Sequence, residues 1–316
     1  MQYRRVGRSG LEVSRLALGT MTWGTTVDAY EAAEQLAAFR DAGGTLVDTA
    51  PIYGDGACEE LLGTLISKVG ARDDLVLAGK AGFTHRRGEV VKDGSRGTLL
   101  SQLDTSLRLL GTDHLDLWQI HTPDLSVPLE ETLGALEHAV RTGRTRYVGV
   151  SNFTGWQTGV AHTWLAARDI PLVSSQVEYS LVNRDPEAEV TQAADHLGMG
   201  MLAWSPLGRG VLTGKYRGGG VPTGSRAATP GWDEFVGAYL TPAKSGVVEA
   251  LARASEGLGV TIAHVAIAWL LERPQISAAI IGARTTAQLQ ENLASEDLAL
   301  PPEIVQALDD VSDAAR

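Results

Sequence analysis

Eight times along this chain, a short apolar run gives way to a longer stretch whose apolar residues recur at helical spacing. The first run, RLALG, ends near Gly19. The stretch after it opens on Asp28, a fair N-cap, and places Ala32, Ala33, Leu36, Phe39 and Ala42 on one face. It stops at Gly43-Gly44. The second run, Thr45-Leu46-Val47, ends on Asp48 and precedes a helix from about Cys58 to Lys68. Strands then follow at Leu75 to Lys80, Leu115 to His121, Arg146 to Val150, Leu172 to Gln176, Gly200 to Trp204 and Ala278 to Ile281. The helices expected between and after them run from Ser95 to Leu110, Leu129 to Thr142, Gln157 to Ala167, Pro186 to Leu197 and Thr286 to Leu293. Strands separated by helices run parallel. Eight such units in 316 residues, with no break in composition, predict an α/β fold, a single (β/α)8 TIM barrel spanning residues 1–316.

Three stretches fall outside the repeat. Residues 2–14 read as a small β-hairpin turning at Gly7, a cap rather than part of the main sheet. Ser205 to Trp232, after the seventh strand, is glycine-rich and has almost no apolar period. A loop of that length is expected to be a lid or disordered. Helical patterns at Pro242 to Gly257 and Thr261 to Glu272 supply one helix more than the repeat needs, and a last helix follows Pro301-Pro302.

In such a barrel the functional groups gather at the C-terminal ends of the strands. Asp48, Lys80, His121, Asn152, Gln176 and Trp204 all sit at or next to that edge, and Tyr53 follows Asp48 on the next loop. The chain has five lysines against 22 arginines, so a lysine at a strand end is not readily a random surface residue. A phenol titrates near ~10 and is a poor acid at neutral pH. A neighbouring ammonium lowers that value, and a carboxylate keeps the ammonium charged and in place. Asp48 and Lys80 beside Tyr53 would thus make a tuned proton donor, with His121 orienting a substrate oxygen. A proton donor held at a carbonyl oxygen is what carbonyl reduction needs. None of these side chains supplies hydride, so a nicotinamide cofactor is implied.

The first unit carries no GxGxxG fingerprint, and the cofactor contacts are expected elsewhere. Ser151, Asn152 and Gln176 suit a carboxamide, and Trp204 offers a flat face to a nicotinamide ring. Ser205-Pro206-Leu207-Gly208 and Gly282-Ala283-Arg284-Thr285 follow the seventh and eighth strands, where barrels often bind phosphate. Trp23 and Phe83 are candidates for the substrate pocket. The remaining histidines show no metal-ligand spacing, and no catalytic metal is expected.

Net charge is −11, which disfavours nucleic acid or an anionic membrane as partner. The single cysteine, Cys58, forms no intrachain disulfide. With no signal-like N-terminus and no apolar run near ~18 residues, a reducing, cytoplasmic setting is expected. A small carbonyl compound is the expected partner, and oligomeric state is left open.

The chain resembles the aldo-keto reductases. The resemblance rests on GRSGLEVSRLALGTMTWG, DTAPIYGDGACEELLG, LVLAGKAG, LDLWQIHTPD, YVGVSNF, SSQVEYSLVNR, LAWSPLGRGVLTGKY and IIGARTTAQLQENL, in the family's order and over nearly the whole length. It implies NAD(P)H-dependent reduction of an aldehyde or ketone, with Tyr53 as general acid tuned by Lys80 and Asp48. By the same likeness Ser205, Leu207, Gly208 and Gly210 match the pyrophosphate loop. Arg284, Gln288, Glu291 and Asn292 match the adenosine end, and Gly19, Thr20 and Met21 complete the cofactor contacts. Mammalian-type members carry a lysine and a second arginine around the 2′-phosphate where this chain has Gly282 and Gln288. Arg284 is then left to stack on adenine and pair with the phosphate, so NADPH is expected in preference, with NADH as the alternative. The opening motif and the long seventh loop resemble the bacterial and potassium-channel-β-like branches, which include sugar ketoreductases.

Two other functions fit parts of the pattern. A strand-end lysine is the usual nucleophile of a Schiff-base lyase or aldolase, although Asp48 favours the charged form of Lys80. A regulatory protein that binds NADPH and turns over slowly would use the same cofactor residues.

Overall fold

The computed structural model describes residues 1–229 and 231–315. Two short strands, β1 (Tyr3–Arg5) and β2 (Glu12–Ser14), pair antiparallel. The alternation follows: β3 (Leu16–Gly19), α1 (Ala29–Asp41), β4 (Leu46–Asp48), α2 (Ala57–Val69) and β5 (Val76–Ala81). A hairpin of β6 (Phe83–Arg86) and β7 (Glu89–Lys92) leads to α3 (Arg96–Leu110). Next come β8 (Leu115–Ile120), α4 (Leu129–Arg141), β9 (Thr145–Ser151), α5 (Gly155–Ala166), β10 (Leu172–Glu178), α6 (Val190–Leu197) and β11 (Gly200–Trp204). The chain ends with α7 (Asp233–Gly237), α8 (Pro242–Leu258), α9 (Ile262–Leu271), β12 (Ile276–Ile281), α10 (Thr286–Leu293) and α11 (Pro302–Asp313). Eight parallel strands close in the order β10-β11-β12-β3-β4-β5-β8-β9, which is the expected TIM barrel.

The side-chain period of two along a strand builds the barrel and places the site. Ala17, Leu46, Ala78, Leu117, Leu202 and Ala278 form one interior cluster, small side chains on β3, β5 and β12 beside leucines on β4, β8 and β11. Leu16, Leu18, Val47 and Leu77 face the other way, into the larger core that includes Leu36 and Phe39 of α1 and Leu62 and Ile66 of α2. Full burial of each such leucine contributes roughly 1.5–3 kcal/mol. The β1–β2 hairpin adds Val6, Leu11 and Val13 to the interior cluster and so stops the N-terminal end. Its turn demands glycine: Gly7 has φ +59°, and a Cβ there would lie 2.3 Å from the Gly198 carbonyl oxygen.

Counting upward in twos from the interior layer gives the residues at the mouth. Position 17 leads to Gly19, 46 to Asp48, 78 to Lys80, 117 to His121, 202 to Trp204 and 278 to Gly282. The chemistry-bearing residues are thus the inward-facing positions one or two steps above a packed floor.

Three local features differ from expectation. The β6–β7 hairpin falls in what reads as a loop after Lys80. Arg87 and Gly88 both have positive φ, 55° and 85°, as a two-residue type I′ turn requires. The helix expected from Pro186 to Leu197 is broken at Glu189 (φ −146°), leaving a 3-10 turn at Asp185–Ala188 before α6. The long loop is ordered into 3-10 turns at Gly208–Thr213, Arg217–Gly219 and Arg226–Ala228.

Candidate active site

Asp48 closes β4 and Lys80 lies one residue before the end of β5; they are 3% and 1% exposed. Lys80 Nζ donates to Asp48 Oδ2 at 2.5 Å, to the Thr49 carbonyl at 3.3 Å and to Tyr53 Oη at 3.4 Å. The second Asp48 oxygen, Oδ1, accepts from Gln176 Nε2 at 2.8 Å. Tyr53 opens the 3-10 turn Tyr53–Gly56, and its ring stands edge-on to His121 at 5.9 Å. Phe83 packs edge-on to the same imidazole at 4.8 Å. One ammonium therefore bridges a carboxylate and a phenol, with an imidazole alongside.

The electrostatics correct one expectation. Burial raises the Tyr53 hydroxyl above its ordinary value; Lys80 opposes this, and Asp48 adds to it. The net direction is up, so the phenol holds its proton at neutral pH instead of being tuned down. Burial works against the Lys80 ammonium, yet Asp48 and Tyr53 outweigh it and the lysine is held above its ordinary value. Burial, then Lys80, drives His121 well below its ordinary value, so its imidazole is neutral.

Asn152 adopts a left-handed conformation (φ 59°) just past β9. Its Nδ2 donates to the His121 carbonyl at 2.9 Å and to Ser151 Oγ at 3.1 Å, while its Oδ1 accepts from Trp204 Nε1 at 3.1 Å. Ser151, Asn152 and Trp204 are thereby hydrogen-bonded together, and Gln176 joins them through its carbonyl, which accepts from the Asn152 backbone N–H at 2.9 Å. Gly19 and Thr20 also lie at the mouth, Thr20 Oγ1 donating to the Asp48 carbonyl at 3.1 Å; Met21 follows, half-buried.

The loops after β11 and β12 carry the remaining candidate residues. Ser205, Gly208 and Gly210 all have positive φ (52°, 53° and 94°), and Leu207 is half-buried beside them. Gly282, Arg284, Gln288 and Glu291 are exposed, whereas Asn292 is buried at 5%. Arg284 Nη1 donates to the Gly224 carbonyl of the long loop, and Gln288 Oε1 accepts from the Arg284 backbone N–H at 3.0 Å. The sequence reading passed over two further cations here, Lys215 and Arg226. Burial, then Arg284 and Arg226, lowers the Lys215 ammonium. Burial lowers Arg226 too, Tyr216 opposing and Arg284 adding. Three cations thus crowd one another at a place suited to a polyanion. The available signal was that Lys215 is one of only five lysines.

Trp23 does not line the mouth. It is fully buried, and its indole N–H donates to buried Gln35 at 2.9 Å. The ring is core beneath the first loop. Phe83, half-buried against His121, remains at the opening.

The family model for the aldo/keto reductases matches residues 15–313. The chain belongs to the aldo/keto reductase family. It is 35% identical over 319 residues to a probable voltage-gated potassium channel subunit beta of Oryza sativa subsp. japonica, covering 98% of this chain and 96% of that one. An uncharacterized oxidoreductase YrpG of Bacillus subtilis is 36% identical over 323 residues, with 98% and 96% covered. The L-glyceraldehyde 3-phosphate reductase of Escherichia coli is 36% identical over 304 residues, with 93% and 87% covered. This reductase is therefore an oxidoreductase of carbonyl compounds. Among the described residues no single helix is long and apolar enough to cross a membrane.

One buried acid of the reductase lies just behind the site. Glu59 on α2 is fully buried, and neither carboxylate oxygen has a hydrogen-bond partner among the described residues. Burial pushes it up to about 7, with Ser106 and Lys80 opposing. Its folded value exceeds the unfolded one of about 4.3. Its stabilising contribution is therefore full below the unfolded value and lost as pH rises through about 7. Glu59→Gln is expected to unfold like the wild type in urea at about pH 4 and to gain about 3 kcal/mol over it at about pH 8. Equal stability at both pH values would refute this.

Proposed function

We propose that this reductase uses NADPH to reduce an aldehyde or ketone to the alcohol, with Tyr53 as the proton donor. The observation that carries the reading is the Lys80 ammonium, 2.5 Å from Asp48 and 3.4 Å from the Tyr53 hydroxyl. The phenol keeps its proton at neutral pH and releases it to the carbonyl oxygen as negative charge develops there. Lys80 then faces the resulting phenolate, and the attraction that burial outweighs beforehand becomes stabilisation of the product state. Asp48, held by Gln176 as well, fixes the ammonium. The neutral His121 ring is free to bond the carbonyl oxygen and orient it. Phe83 shapes the opening beside it. Lys80, kept charged, is unsuited to Schiff-base chemistry, which needs the free amine.

The bound nicotinamide supplies the hydride. Ser151, Asn152, Gln176 and Trp204 would hold its carboxamide and ring, next to Gly19, Thr20 and Met21. Ser205, Leu207, Gly208 and Gly210 would cradle the pyrophosphate. The fit is supported by Gly210, where a Cβ would lie 2.8 Å from Lys215 Nζ, and by the Lys215, Arg226 and Arg284 cluster. Arg284, Gly282, Gln288, Glu291 and Asn292 would take the adenosine end and its 2′-phosphate. The substrate is a small carbonyl compound.

Equilibrium titration followed by tryptophan fluorescence tests the cofactor assignment. NADPH is expected to bind tightly and NADH at least about tenfold more weakly, a difference of about 1.4 kcal/mol. Equal affinities would remove the 2′-phosphate role from the cationic cluster, and binding of neither would overturn the reading.

A further inference from the structure

The start of α10 is a place suited to an anion, and an anion of the protein already fills it. Thr285 caps the helix, its Oγ1 accepting from the Gln288 backbone N–H at 3.2 Å. Gln288 Oε1 accepts from the Arg284 backbone N–H at 3.0 Å. The Thr286 backbone N–H and hydroxyl both donate to one carboxylate oxygen, Oε1 of Glu31, the hydroxyl at 2.6 Å. Glu31 comes from the first turn of α1, 255 residues away in the chain. Its own backbone N–H is held by the N-cap Asp28 at 2.9 Å. β3 and β12, the strands that lead into these two helices, are neighbours in the barrel, so closure of the sheet brings the two helix starts together.

Glu31 is charged where it sits. The Thr286 hydroxyl, then the Thr286 backbone N–H, hold its carboxyl below the ordinary value, with burial and Asp28 opposing. The backbone N–H groups and dipole of a helix start favour a carboxylate. They favour a phosphate for the same reason. The two dinucleotides differ here by one group. NADPH brings a 2′-phosphate of about two negative charges, and NADH brings a neutral hydroxyl. Arg284, two residues before Thr286, attracts the phosphate. Glu31 opposes it twice, by like charge and by engaging the Thr286 donors. Gly282 and Gln288, on either side, add no charge of their own.

We propose that Glu31 is a specificity-determining residue, its carboxylate at the start of α10 acting against the 2′-phosphate and so holding down the preference for NADPH over NADH. This role rests on the cofactor assignment above. Glu31 itself belongs neither to the groups assigned to the dinucleotide nor to those assigned to catalysis.

Glu31→Gln tests this, because the amide keeps an oxygen for both Thr286 donors and loses only the charge. In the fluorescence titration the variant is expected to bind NADPH about fivefold more tightly than the wild type and NADH within about twofold. The gain should shrink as salt is raised, because charges near the surface are screened. At saturating NADPH, kcat should stay within about twofold of wild type. Glu31→Ala also releases the Thr286 donors, and its ratio of NADPH to NADH affinity is expected to rise at least as far. An unchanged or lower ratio in Glu31→Gln would overturn the proposal and leave Glu31 as a helix cap, as would equal tightening of both dinucleotides. Failure of the wild type to bind either dinucleotide would overturn the cofactor assignment, and this role with it.

Discussion

Tyr53→Phe is expected to lower kcat for carbonyl reduction by about 10²–10⁴-fold, the usual contribution of a positioned acid. The substitution keeps the ring that packs edge-on to His121 and removes only the hydroxyl that accepts from Lys80. NADPH affinity and the urea midpoint should therefore stay near wild type, which separates lost chemistry from lost structure. The pH profile gives a second check. Burial holds the Tyr53 hydroxyl above the ordinary phenol value, so the wild-type rate should be flat through neutral pH and fall only as the phenol ionises in alkali. That alkaline fall should be missing from the residual activity of the variant. Near-wild-type turnover by Tyr53→Phe would show that the proton comes from another group.

Lys80→Met should be as damaging to the rate and far more damaging to the fold. Removing the ammonium leaves Asp48, 3% exposed, with Gln176 as its remaining hydrogen-bond donor from a side chain. Breaking one partner of a buried ion pair costs about 3–5 kcal/mol. Urea denaturation at neutral pH should show a loss of that size. The double variant with Asp48→Asn should recover most of the stability, because no uncompensated charge is left inside, while staying inactive, because no cation faces the developing phenolate. An active double variant would place the role of Lys80 in packing alone.

The architecture was readable because each strand is short, apolar and followed by an amphipathic stretch, and because the strand ends carry polar residues that a buried sheet otherwise avoids. Asp48, Lys80 and His121 fall on the inward parity that begins at Leu46, Ala78 and Leu117. That parity was already present in the order of residues. The β6–β7 hairpin was missed because its turn is Arg87-Gly88, an arginine in a left-handed conformation that ordinarily draws asparagine or aspartate. Trp23 was misplaced because an aromatic residue next to a strand end looks the same in sequence whether it faces a cavity or the core; the buried Gln35 that takes its N–H decides between them. The direction of the Tyr53 shift was misjudged for a related reason. The attraction of Lys80 follows from proximity, but the opposing cost of burial depends on how closely the barrel packs around the phenol. Lys215 and Arg226 lie in a stretch with no periodicity, and only the folded loop brings them to Arg284.

The most direct test of the proposed chemistry is to mix the wild-type protein with a panel of small aldehydes and ketones and to follow NADPH oxidation together with the alcohol formed. In parallel, the same mixtures without cofactor are treated with borohydride and digested to look for a substrate adduct on Lys80. The predicted result is one alcohol formed per NADPH oxidised and an unmodified Lys80. An adduct on Lys80 with no NADPH oxidised by any carbonyl would contradict it and make the lysine a nucleophile.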